Sequence, residues 1–126
     1  EQHCPEAVIH KGRFEQTVPS ELPDQICFAH IDCAYGGPAD ELADTVYFLL
    51  QHIYPRMPAG AICVLMDYQP EGQEYDTQNI NQGAQVGADR FLQDKPEKPI
   101  SLFAELYCHA YFVKLPVESN TSGGTA

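Results

Sequence analysis

The chain of 126 residues is 44% hydrophobic, which is enough to bury a core and predicts one globular domain. Eighteen Asp and Glu outnumber seven Lys and Arg, so the net charge is −11. This balance excludes nucleic acid and anionic membranes as predicted partners, because both require clustered positive charge. No run of about 18 apolar residues predicts a membrane span.

The five cysteines form no C-x-x-C pair; they are Cys4, Cys27, Cys33, Cys63 and Cys108. Three of them lie inside apolar, strand-like runs, where a free thiol behaves as a small hydrophobic group. We favour reduced thiols over disulfides or a zinc site. The predicted compartment is therefore reducing, and we expect the protein to be cytoplasmic.

The first half of the chain predicts two strands and a helix. Glu6–His10 is typical of a short strand, and Thr17–Asp24, with its two prolines, predicts a loop or one short helical turn. Gln25–Asp32 has a continuous apolar character, as in a parallel strand buried on both faces. Apolar positions at helical spacing predict a helix over Ala39–His52, with Pro38 in its first turn.

The second half predicts a further strand, a helix and a closing hairpin. Ala61–Asp67 is a buried strand, Tyr68–Asn81 an exposed connection, and Gln82–Asp94 a helix weakened by two glycines. Ile100–Leu106 and Cys108–Leu115 alternate as an antiparallel pair. The predicted inward side chains of the second helix are Val86, Phe91 and Leu92.

These elements predict an α/β fold with one domain over residues 1–116 and a flexible tail over 117–126. Crossover helices between parallel strands, followed by a hairpin, indicate a mostly parallel sheet with an antiparallel C-terminal hairpin.

Two aspartates, Asp32 and Asp67, each end a predicted buried strand. In open α/β sheets, ligands bind outside the carboxyl ends of the strands, and carboxylate oxygens suit Mg²⁺. The pair therefore has two interpretations: a divalent metal site, or caps for the loops that follow the strands. His30, two residues before Asp32, is a candidate general base or a core histidine. His109 precedes the last strand and could face the same sheet edge.

Six strings, in order along the chain, resemble the carboxyl-terminal part of class I S-adenosylmethionine-dependent methyltransferases, most closely the macrocin O-methyltransferase (TylF-like) family. They cover the chain up to Lys114 and begin where the family has its third strand. The strings are Gly12–Phe14 with Thr17–Pro19, Phe28–Cys33, Ile53–Met57, Gly60–Tyr68, Gly83–Leu92 and His109–Lys114.

The resemblance implies a truncated Rossmann-like methyltransferase sheet that lacks the first two strands and their glycine-rich cofactor turn. It places Gly12 and Arg13 near the adenine of S-adenosylmethionine. It assigns Asp32 and Asp67 to a divalent metal, with Mg²⁺ as the implied ion. Met66 stands where the family has another metal-binding aspartate. The implied activity is methyl transfer to a hydroxyl, with His30 as base, and we expect the chain to be inactive alone.

A second hypothesis is a non-catalytic domain derived from that fold, which self-associates or binds a small molecule. Without two preceding strands, Gln25–Asp32 would be an unpaired, hydrophobic sheet edge, and such edges pair with other chains. The expected partners are thus a second copy of the chain, in a homo-oligomer, and a small hydroxyl-bearing acceptor.

Overall fold

The protein, described from a computed structural model, is built around a four-stranded mixed sheet with helices against it. The structure describes residues 6–33, 37–69, 81–104 and 107–117. In chain order the elements are α1 (Phe14–Glu21), β1 (Phe28–Ile31), α2 (Ala39–Ile53) with a 3₁₀ turn (Tyr54–Arg56), β2 (Ile62–Leu65), α3 (Gly83–Leu92), β3 (Ile100–Ala104) and β4 (Tyr107–Val113). No helix among these residues is long and apolar enough to cross a membrane.

The sheet has the order β1-β2-β4-β3, so the last strand lies between the second and the third. β1 and β2 are parallel and joined through α2, while β4 is antiparallel to both of its neighbours. The α/β class and the closing hairpin are therefore confirmed. A mostly parallel sheet is not, since within the described residues only the β1–β2 pair is parallel.

Helix α2 follows its sequence pattern closely. Its apolar positions at helical spacing are buried, and Asp40 and Glu41 lie in its first turn, where the helix dipole favours negative charge. Pro38 takes the N-cap position, one residue before the helix begins. Pro55 lies in the 3₁₀ turn that follows Ile53, so the polypeptide leaves the helix where the sequence indicates.

Helices α2 and α3 pack against each other at very short distance. A Cβ on Gly83 would lie 2.3 Å from the carbonyl oxygen of Ala39, and one on Gly87 would lie 2.3 Å from that of Ala43. The two glycines thus allow close backbone approach instead of only weakening the helix. Val86 lies on the outer side of α3 and is 51% exposed, so its predicted inward position is wrong.

The amino-terminal region differs most from prediction. Residues 6–13 form no strand and are exposed, because no neighbouring strand pairs with them among the described residues. Residues 14–21 form helix α1 despite Pro19: the Arg13 N–H donates to the Gln16 side chain at 3.4 Å, and Val18 is buried. The predicted connection lies largely within residues 70–80, and most of the predicted tail within 118–126, both outside the described residues.

Within the described residues, helices cover one face of the sheet and leave the other face uncovered. Ile31, Cys63, Leu65 and Phe112 are buried in one core cluster with side chains of α2 and α3. β1 is therefore not buried on both faces as predicted: Phe28, on its other side, is 62% exposed. By strand register, the uncovered side, here named the open face, consists of Phe28, His30, Ile62, Val64, Ile100, Leu102, His109, Tyr111 and Val113.

A buried carboxylate joins the 3₁₀ turn to the end of β4. Glu97 is 2% exposed, and its carboxylate accepts hydrogen bonds from the Tyr54 hydroxyl at 2.8 Å and the Leu115 N–H at 2.9 Å. The Lys114 ammonium lies 4.0 Å from Glu97 Oε1 and 3.1 Å from the Tyr54 ring centre. Burial by itself would raise the pKa of Glu97, but the hydrogen bonds and the Lys114 charge together hold that pKa below its ordinary value.

Candidate functional site

The two predicted aspartates follow adjacent parallel strands and lie at the same sheet edge. Ile31 is level with Leu65, and the Met66 N–H donates to the Ile31 carbonyl at 2.9 Å. Asp32 is exposed and Asp67 is partly exposed, so solvent reaches both carboxylates. The parallel pairing thus delivers two acidic side chains to neighbouring strand ends.

The charge of both aspartates acts on one thiol. Burial first, and then the negative charges of Asp32 and Asp67, raise the pKa of Cys33 to about 11. The thiolate form of Cys33 is therefore disfavoured. The thiol stays protonated near neutral pH and is a poor nucleophile. The surroundings of Cys33 therefore disfavour thiolate chemistry.

The backbone of Asp67 is held in an unusual conformation. Its φ is +55°, in the left-handed region, and it is the one non-glycine residue with a positive φ in the described part of the chain. Asp tolerates this region better than most residues, but the conformation still carries strain, and such strain is common at functional sites. The Asp67 N–H donates to Nδ1 of His109 at 3.1 Å.

His109 reaches Asp67 because β4 runs antiparallel to β2, so that the start of β4 lies beside the carboxyl end of β2. Its Nδ1 accepts a hydrogen bond, so a neutral His109 carries its proton on Nε2. The sequence indicates that His109 could face this edge, but the contact depends on strand order, which no local pattern predicts.

Hydrogen bonds hold the segments around the aspartates in place. The hydroxyl of the buried Tyr68 donates to Asp89 of α3 at 2.6 Å. Asn81 donates to the Gly37 carbonyl and accepts from the Gly83 N–H, both at 3.0 Å, and so ties the start of α3 to the segment before α2. The segment after β2 is therefore anchored to α3, and the start of α3 is anchored to the segment before α2.

In the described part of the chain, the predicted metal ligands are the two carboxylates of Asp32 and Asp67. No group of three or more His, Cys, Asp or Glu among the described residues is arranged to hold a metal ion. Mg²⁺ is often bound by only one or two carboxylates, with waters and substrate oxygens completing its octahedron. Asp32 and Asp67 fit that minimum, whereas Met66 is too soft a ligand to add to it.

His30 lies on the open face of the edge strand β1, level with Val64 of β2. Its side chain is exposed, so the alternative interpretation as a core histidine is wrong. The described contacts connect His109, and not His30, to Asp67. The role of His30 as a general base stays a prediction.

Gly12 and Arg13 lie elsewhere, at the start of α1. Arg13 caps that helix and lines an open cleft of about 380 Å³ between α1 and α2. The other lining side chains are Glu15, Glu41, Asp44, Thr45 and Phe48. Glu15 belongs to α1, and the other four lie on a different side of α2 from its buried residues. No described contact brings Arg13 to the aspartates.

The small space lined in part by Ile31, Cys33, Leu65 and Met66 cannot hold S-adenosylmethionine. It is too narrow for a water molecule. A cofactor of this size requires a cavity of about 300 Å³ or more.

Comparisons with protein-family models, with curated proteins and with solved structures give no match for this chain. The functional interpretation consequently depends on the strand-end geometry and on the sequence resemblance.

Proposed function

We propose that the chain is the carboxyl-terminal portion of an S-adenosylmethionine-dependent O-methyltransferase-like protein and is inactive alone. The observation that supports this most is the placement of Asp32 and Asp67 after two adjacent parallel strands. The element order also agrees with the resemblance, since the parallel unit β1-α2-β2 precedes a helix and an antiparallel hairpin.

In this proposal the chain contributes the metal and acceptor side of the site. Asp32 and Asp67 would hold Mg²⁺, and a bound Mg²⁺ would supply Lewis acidity that orients an acceptor hydroxyl and lowers its pKa. His109 keeps Asp67 in its left-handed conformation through the hydrogen bond from the Asp67 N–H. His30 is the proposed base for the hydroxyl proton, and Gly12 and Arg13 are the proposed contacts to the cofactor. In this proposal the cofactor side is formed by strands outside these 126 residues.

Calorimetric titration with Mg²⁺ tests the metal assignment. We expect weak, saturable binding to the parent chain, because two carboxylates with four waters make a low-affinity site. Asp67→Asn should abolish binding, whereas Asp24→Asn, at another exposed aspartate, should leave it unchanged. No binding to the parent chain, or equal binding to both variants, would remove the metal assignment.

Titration with S-adenosylhomocysteine, with and without Mg²⁺, tests whether the chain is inactive alone. We expect no binding, because the sequence has no glycine-rich cofactor turn and the space lined by Ile31, Cys33 and Leu65 is too narrow for a water molecule. Saturable micromolar binding would contradict that expectation and would mean that the cofactor pocket is complete, for example across an oligomer.

The second candidate function is a non-catalytic, self-associating or small-molecule-binding domain. It is favoured by β1, which forms one edge of the sheet with Phe28 62% exposed. Cys27, Cys33, Cys63 and Cys108 are free thiols, which agrees with a reducing compartment, and we propose the cytoplasm. Cys4 lies outside the described residues.

A further inference from the structure

The open face combines exposed apolar side chains with a lack of formal charge. Four of its nine residues are large hydrophobic side chains that are 37% to 62% exposed: Phe28, Ile62, Ile100 and Leu102. The other five are His30, Val64, His109, Tyr111 and Val113, and none is Asp, Glu, Lys or Arg. The sheet thus presents a neutral, apolar surface in a chain whose net charge is −11.

We infer that the open face is a docking surface for a second copy of the same chain. It rests on the second candidate function, self-association, and names the face of the sheet, instead of the edge of β1, as the contact surface. It does not depend on methyl transfer. Two copies would stack their sheets face to face, about 10 Å apart, as packed sheets do in sandwich folds. A two-fold axis would place the same neutral patch on both sides of the interface.

The exposed area is close to what a stable dimer needs. A standard interface buries about 800 Å² on each partner, of which slightly more than half is non-polar, or about 450 Å². The four large side chains alone expose the equivalent of about two complete residues, on the order of 400 Å². The remaining valine and aromatic side chains of the face add to this area.

Charge favours a second copy over a charged partner. Two chains of net charge −11 repel each other wherever their acidic surfaces meet, but this repulsion is weakest where both surfaces carry no formal charge. A basic partner, in contrast, would gain more by binding one of the acidic surfaces. The open face is therefore the surface on which two copies can approach with the least electrostatic cost.

The test is the mass in solution, measured by sedimentation velocity at micromolar and higher concentrations. The monomer mass is 14.0 kDa, so a dimer has twice that mass. Ile62→Asp and Ile100→Asp should each raise the dimer dissociation constant more than tenfold, because each dimer would bury two added charges. Val86→Asp, on α3, is the control: Val86 is 51% exposed, Ile100 is 50% exposed, and this variant should remain dimeric.

Ile62 distinguishes the open face from the edge. It lies on the interior strand β2, so its substitution leaves the outer backbone of β1 available for pairing. A parent chain that stays monomeric at every concentration overturns the inference. Dimers that survive both Ile62→Asp and Ile100→Asp also overturn it and point to pairing through β1. Circular dichroism must show that each variant is folded; a folded Ile100→Asp chain decides the question if Ile62→Asp unfolds. The Mg²⁺ titration is unaffected by either result.

Discussion

Substituting Gly87 by alanine tests the close packing of α2 and α3. The added Cβ would lie 2.3 Å from the Ala43 carbonyl oxygen and 3.0 Å from its carbonyl carbon. Optimal contacts between non-bonded heavy atoms lie near 3.5 Å, so the two helices must separate by roughly 1 Å. The obstacle is helix backbone, which cannot rotate away as the end of a flexible side chain would.

The expected cost follows from two opposing effects. Overpacking of a core costs about 1–3 kcal/mol, and the backbone clash places Gly87→Ala at the upper end. Alanine gains about 1 kcal/mol over glycine in helix propensity. We therefore expect the free energy of unfolding to fall by about 2 kcal/mol, measured by urea denaturation with circular dichroism. Val86 lies on the same helix and is 51% exposed. The control Val86→Ala should therefore change the free energy of unfolding by less than about 0.5 kcal/mol.

Gly83→Ala provides an internal check. Its Cβ would meet the Ala39 carbonyl oxygen at 2.3 Å, so the same helix separation relieves both clashes. The double variant Gly83→Ala/Gly87→Ala should lose less stability than the sum of the single variants. If Gly87→Ala were as stable as the parent chain, the helices would not be packed at this distance and the reasoning would be refuted.

Two further predictions concern charge and backbone strain. Because the pKa of Glu97 is lower in the folded chain than in the unfolded one, its stabilising contribution is complete above pH of about 4.3 and is lost as pH falls through the folded pKa. The free energy of unfolding, measured by urea denaturation, should therefore fall less between pH 7 and pH 3 in Glu97→Gln than in the parent chain or in Glu6→Gln. An equal decrease in all three chains would contradict this. Asp67→Gly should be more stable than Asp67→Ala by about 1 kcal/mol, because glycine enters the left-handed region without a Cβ penalty. Equal melting temperatures for these two variants would show that the positive φ is not retained.

Local sequence patterns predicted the elements whose periodicity is strong. Helix α2 has an uninterrupted apolar stripe, and β3 and β4 alternate, so each was found close to its observed bounds. For helix α1, the two prolines predict only a loop or one short helical turn over Thr17–Asp24, whereas the missing N–H of Pro19 still allows a helix of eight residues when Val18 is buried. The inward prediction for Val86 equates hydrophobicity with burial, but α3 packs through its two glycines instead.

The α/β class, the crossover helix and the aspartate after each of two strands can be predicted from the sequence, because they depend on residues close together in the chain. The position of β4 between β2 and β3, which brings His109 to the Asp67 backbone, follows from long-range packing. The same packing covers one side of the sheet with helices and leaves Phe28 and Ile62 exposed on the other. Strand order and the covering of a face depend on contacts between distant segments, and a local hydrophobic pattern shows which residues are apolar but not what packs against them.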